Sequence, residues 1–226
     1  MVPKAFALAP PWHPTFVETK ATMSGLTMSL PQSSTLPSAL GLRWQTALAE
    51  RMRRLWWLKF AGVCAFMWVF FIGYFHTLRN PTGAVIVMPL TWLDHAVPFQ
   101  PYALWVYVSL WLYVGVAPGL LLSFRELFIY SLWIGALCLA GLAAFHWWPT
   151  AVPRLALDAS AYPGFALLKG VDAGGNACPS LHVATAMFTA IWVHHLLRCI
   201  GTPPWLRWAN WGWVSAIVWS TMATKR

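Results

Sequence analysis

Charge is scarce in this chain. Of its 226 residues 9% are Asp, Glu, Lys or Arg and 59% are hydrophobic, whereas soluble domains carry about 25% charged residues. So few charges could not cover a water-facing surface of this size, which excludes an ordinary soluble domain and makes the membrane the expected environment. Acidic groups are scarcest, six in all, and they are almost absent from the apolar runs. That weakens a transporter or channel, because coupled pumps often need intramembrane carboxylates. Cysteine is sparse too. Cys64, Cys138, Cys178 and Cys199 show neither CxxC nor metal-ligand spacing, and three of them fall in or at the ends of apolar runs, so neither a disulfide framework nor a metal site is expected. Nothing points to a cofactor. No short apolar segment near Met1 resembles a signal peptide, since the first long apolar run begins only near Phe60.

What the chain has is tryptophan and a basic excess. Seventeen Trp suit the bilayer interface, where an apolar ring and a polar N–H are both accommodated. The net charge of +9 does not read as a nucleic-acid groove. Seven of the fifteen Lys and Arg lie at or before Lys59 and the rest are scattered singly or in one terminal pair, so they read as topology signals beside apolar spans. Residues 1–42, rich in Pro, Ser and Thr and without sustained periodicity, predict a disordered tail. Arg43, Arg51, Arg53, Arg54 and Lys59 then alternate with Leu and Trp as an amphipathic basic lead-in.

Residues 43–226 predict an all-α, multi-pass transmembrane bundle. Five candidate spans follow the lead-in, over 60–77, 102–124, 127–148, 181–197 and 208–224, all near the roughly 17 to 25 residues that a crossing helix needs. The basic lead-in predicts a cytoplasmic N-terminus. Counting spans then puts Arg125 and the Arg198–Arg207 loop inside as well. Segments 78–101 and 149–180, with Lys225 and Arg226, fall outside. Arg79 is a mild exception.

The predicted outer side collects the reactive groups. Segment 172–186 reads Asp-Ala-Gly-Gly-Asn-Ala-Cys-Pro-Ser-Leu-His-Val-Ala-Thr-Ala. Its glycines predict a flexible turn, and Pro179 suits a first helical turn, where its missing N–H costs nothing. Ser180 and His182 then stand at the N-terminus of the fourth span, whose amides and positive dipole end favour a phosphate. A histidine there can donate a proton to a leaving oxygen. The plainer reading makes Ser180 a helix cap and His182 an interface residue.

The run Gly175-Asn176-Ala177-Cys178-Pro179-Ser180-Leu181-His182-Val183-Ala184 resembles the second signature of the type-2 phosphatidic acid phosphatase superfamily. It is most similar to the inositolphosphotransferase-like branch related to inositol phosphorylceramide synthase. The segment from Leu93 to Pro101, followed by Tyr107, is similar to the loop before that branch's second span, and Pro149 to Arg154 fits its style. The resemblance extends over about residues 60–226.

The resemblance implies a lipid-phosphate phosphatase or phosphotransferase of six spans, five of them present here, working at the outer face of the plasma membrane through a phosphohistidine. It implies membrane lipids and a lipid phosphate as partners, no nucleic acid, no metal and no cofactor. His182 would protonate the departing alcohol, and Ser180, Arg154 and Lys225 would bind the phosphoryl oxygens. The first signature, Lys-x6-Arg-Pro, is weak: Trp147 stands at the Lys position and Leu155 at the Pro position, and Arg154 reads equally as a snorkelling interfacial side chain. The third signature, Ser-Arg-x5-His-x3-Asp, is matched over its first seven positions by Ser220 to Arg226, with Thr221 in place of Arg. Its nucleophilic His would be the next residue. No other histidine replaces it, because the residue four after each of the seven is never Asp. His146 could approach the site, whereas His194 and His195 read as packing or interface residues. The competing expectation is a non-catalytic binder of phospholipid headgroups.

Overall fold

The computed structural model of the chain describes residues 36–153 and 174–224. It is mostly helical. Helix α1 (Leu36–Arg53) begins inside the stretch expected to be a tail and ends on Arg51 and Arg53, cations that suit the negative end of a helix dipole. Leu55, in the left-handed conformation (φ 56°), turns the chain into α2 (Trp56–Arg79). A short strand β1 (Ile86–Val87) and helix α3 (Trp92–Ala96) follow. Next come three brief helices, α4 (Ala103–Val108), α5 (Leu110–Tyr113) and α6 (Val116–Gly119). Helix α7 (Phe124–Trp147), strand β2 (Thr150–Ala151), α8 (Leu181–Ile200) and α9 (Pro204–Ala223) complete the described chain.

Among the described residues three helices, α2, α7 and α8, are long and apolar enough to cross a membrane. The second expected span is instead an irregular run, Ala103–Gly119. Its junctions Ser109, Val114 and Gly115 stay in the right-handed helical region. There the backbone tightens to i→i+3 bonds, Leu112 N to Ser109 O and Gly115 N to Leu112 O, the 3₁₀ pattern. Helix α9 matches α8 in length, but Arg207 and Asn210 lie along it and it is less apolar.

Only one residue of α2 is buried, and it is Lys59, 6% exposed. Its Nζ donates to Arg51 O (2.6 Å) and Gly119 O (2.8 Å), while Arg51 donates to Leu120 O (3.1 Å). The last carbonyls of a helix have no partner within it, and here two cations supply those partners where α1 and α6 end. The outward side of α2 shows Phe60, Trp68, Val69 and Ile72, an arrangement costly in water and ordinary in lipid. Helix α7 starts from a capping box in which Ser123 Oγ accepts from Glu126 N and the Glu126 carboxylate accepts from Ser123 N.

Helices α8 and α9 form a tight antiparallel pair. Gly201, with φ 75°, ends α8 as its N–H donates to Arg198 O and that of Thr202 to Leu197 O, and Pro204 opens α9. The α4–α6 run packs on both. Tyr113 Oη donates to Asn210 Oδ1 (2.8 Å), and Asn210 Nδ2 donates to Ala190 O (3.0 Å). One buried amide thus ties three segments, and both of its ends are satisfied as burial requires.

Candidate functional site

The ends of α2, α7, α8 and α9 that carry Arg79, Trp147, Leu181 and Ala223 lie together, held by a small clasp around Thr150. Strands β1 and β2 pair in parallel, Ile86 opposite Thr150 and Val87 opposite Ala151, and Ala151 also bridges to Gly175. Thr150 Oγ1 accepts from Cys178 N (2.9 Å) and donates to Cys178 O (3.2 Å). Thr82 Oγ1 donates to His146 O. Asn176 Nδ2 reaches Thr77 Oγ1 (3.3 Å) and Tyr74 O (3.4 Å) at the end of α2. Gln100 N donates to Ala223 O (2.9 Å), which brings the last turn of α9 to the same place.

The glycines before α8 do more than make a turn. Gly174 sits at φ 72°, and a Cβ on Gly175 would lie 2.4 Å from Leu78 Cδ1. A side chain at 175 would require Leu78 to move. Pro179 follows a cis peptide bond and precedes the cap, so it lies outside the first turn where the sequence placed it. Ser180 is the N-cap of α8, its Oγ accepting from Val183 N at 3.4 Å. That leaves the Leu181 and His182 amides beyond the reach of the helix ladder.

His182 stacks on Tyr107, with ring centroids 4.0 Å apart and planes 12° apart, and meets Trp111 edge-on at 6.2 Å. Its Nε2 is buried and has no hydrogen-bond partner. A buried polar atom left in that state costs about 1–3 kcal/mol, so a ligand oxygen at Nε2 would relieve a standing penalty. Thr185, one turn on, donates to Leu181 O (2.8 Å).

Ser180, His182 and Thr221 all line one cleft of about 370 Å³, with Asn176, Thr185 and Val152. The cleft continues between α2 and α7 past Phe66, Phe70 and Ile134 to Lys59. Its walls are mostly apolar; Asn176, Ser180, His182, Thr185 and Thr221 gather at one end, and Lys59, Tyr130 and Ser131 lie toward the other. Two of the expected site residues, Ser180 and His182, are therefore brought together. Arg154 and Lys225 lie outside the described residues. His146 is exposed, its ring beside Trp147, and it is not among the residues lining the cleft. His194 accepts from Trp211 Nε1 at 3.1 Å and so joins α8 to α9, a packing role. Among the described residues no cluster of His, Cys, Asp or Glu could hold a metal.

Sequence reasoning gave no role to Tyr107, Trp111 or Asn176. Tyr107 and Trp111 belong to an apolar run whose inward face no periodicity announces, and Asn176 acts through a contact with α2 that is distant in sequence. No family model, no curated protein and no solved structure gives a significant match to this chain, so its function is argued from the residues themselves.

Proposed function

We propose that the protein is a multi-pass integral membrane protein that binds a lipid phosphate at the His182 end of the cleft, as a lipid-phosphate phosphatase or phosphotransferase of the type-2 phosphatidic acid phosphatase kind. The observation that carries the reading is the convergence of Ser180, His182 and Thr221 on one apolar cleft. Ser180 and His182 are the residues that the second signature would bring to a phosphate, and Thr221 stands where the third signature has its arginine. A helix N-terminus supplies amides and a positive dipole end to the anion, and the buried Nε2 of His182 supplies a hydrogen bond. In transfer, the P–O bond to the lipid alcohol breaks as a nucleophile adds to phosphorus in line, and His182 passes its proton to the departing oxygen. Arg154 and Lys225 would add positive charge.

The α4–α6 run and α9 count as spans beside α2, α7 and α8 in this reading, which makes five of an expected six. In the same reading the basic residues of α1 favour a cytoplasmic N-terminus and a site on the outer face, and the resemblance favours the plasma membrane. Cys178, exposed just before the cap, reports on this. In a Cys64→Ala, Cys138→Ala, Cys199→Ala background, a membrane-impermeant thiol reagent is expected to label it on intact cells. Labelling only after permeabilisation reverses the orientation.

A non-catalytic headgroup binder is the second reading. It is favoured by the absence of any His followed by Asp four residues on, since binding and protonation need no nucleophile but turnover through a phosphohistidine does. The purified 226-residue chain in nanodiscs is expected to retain phosphatidic acid over diacylglycerol and to release no inorganic phosphate. Equal retention of the two lipids would defeat the proposal. Phosphate release that vanishes in His182→Ala would place the nucleophile among the residues here.

A further inference from the structure

We propose that the cleft between α2 and α7 holds a hydrocarbon chain of the bound lipid, and that Gly62, near its far end, sets the length of chain admitted. The inference rests on the phosphate reading above for the position of the headgroup only. From Tyr74 to Lys59 the cleft follows α2 for fifteen residues, about 22 Å at 1.5 Å per residue. That exceeds half the hydrocarbon core, about 15 Å, so a membrane chain lying straight fits lengthwise.

The walls say what occupies it. Helices α2 and α7 are membrane-length and apolar, so the medium that reaches a cleft between them is hydrocarbon, and the middle of its wall, Phe66, Phe70, Ile134 and Cys138, carries no charge. Lys59, the cation at the far end, already donates to two backbone carbonyls. It closes the cleft at that end. Gly62 borders the cleft one turn before the stop at an exposed position, and a Cβ there meets nothing within 4 Å. A larger side chain at 62 has room to turn over the cleft's end without forcing the helices apart. In lipid the chain gains little from leaving its surroundings, so fit along the wall decides the preference.

The test measures binding of n-alkyl phosphates, from decyl to octadecyl, to the full chain in nanodiscs. Gly62→Phe is expected to weaken hexadecyl phosphate about tenfold while leaving decyl phosphate within about twofold, the loss expected from overpacking one end of a filled cavity. Ile72→Phe, on the outward face of α2, should change neither. An equal effect at every length, or none, overturns the inference. If Gly62→Phe does not fold, hexadecyl phosphate with a diazirine at its chain end decides on the unaltered protein. Crosslinks to residues 58–67 support the inference, and crosslinks confined to the outward face of α2 overturn it. Hexadecanol separates the two claims. If it binds as well as the phosphate and shows the same dependence on Gly62, the cleft stands and the phosphate reading falls. If the phosphate is preferred but length does not matter, the chain inference alone falls.

Discussion

Gly141→Val is expected to separate α7 from the start of α8 and to abolish retention of lipid phosphate. A Cβ at Gly141 would lie 2.4, 2.7 and 2.9 Å from Cδ2, Cγ and Cδ1 of Leu181. All three distances are closer than carbon atoms approach, and they include the branch point of a side chain that is 9% exposed and cannot swing clear. Two effects oppose each other. Replacing glycine in a helix recovers at most about 1 kcal/mol of propensity, whereas overpacking a filled contact costs about 1–3 kcal/mol, and valine adds two further methyls to the clash. Overpacking wins. The displaced residue is the immediate neighbour of His182, so the stack on Tyr107 moves with it. Thermal unfolding in detergent should fall by several degrees. Gly141→Val, Leu181→Ala should recover part of the loss, because residues in contact are not additive. A raised melting temperature in the single variant, the outcome that propensity alone gives, would show that the two helices are less close than the geometry has them.

That contact also marks the boundary of what the sequence makes legible. Length and apolarity locate α2, α7 and α8, because a run of that kind has few other folded states. The observed Trp56–Arg79, Phe124–Trp147 and Leu181–Ile200 depart from the expected spans only at their ends. The 102–124 run deceives because it is apolar throughout. Its punctuation, Gly115, Pro118 and Gly119, is visible in the sequence, yet whether such residues bend, tighten or end a helix depends on what packs there. Here Arg51 and Lys59, read as topology signals, accept the job of closing α6. Asn210 was the overlooked clue. An amide on an apolar helix requires partners, and naming Tyr113 and the Ala190 carbonyl requires the fold.

The candidate site divides in the same way. Pro-Ser-Leu-His is local, and its cap and helix start form from neighbours in sequence, so Ser180 and His182 could be read directly. What gives them a ligand-sized space comes from elsewhere. Tyr107 supplies the ring beneath His182, Asn176 fastens the loop to α2, and Thr221 arrives from the far end of α9. Thr221 had been noticed only as a departure from an expected arginine. As a neutral hydroxyl its Oγ1 donates to Val218 O at 2.7 Å, so positive charge for a phosphate would have to come from other groups.

His182→Phe should separate the chemistry of this residue from its packing. Phenylalanine keeps a flat ring against Tyr107 and beside Trp111 and removes the ring nitrogens. In the unliganded protein Nε2 is buried without a partner, a state that costs about 1–3 kcal/mol. Phenylalanine relieves that cost but also gives up the hydrogen bond between the His182 ring and the Tyr107 backbone, so the melting temperature is expected to change little. Lipid-phosphate binding should move the other way. A hydrogen bond to a charged group contributes about 1.5–3 kcal/mol, and about 1.4 kcal/mol is a factor of ten in affinity, so retention should fall between about tenfold and a hundredfold. His182→Ala loses the ring as well as the nitrogen, and it should melt lower while binding no better than His182→Phe. The two variants together fix the interpretation. If His182→Phe binds phosphatidic acid as the unaltered chain does, His182 is a packing residue and the phosphate reading loses its central group. If it melts no lower and binds poorly, the unpaired nitrogen serves a ligand and not the packing.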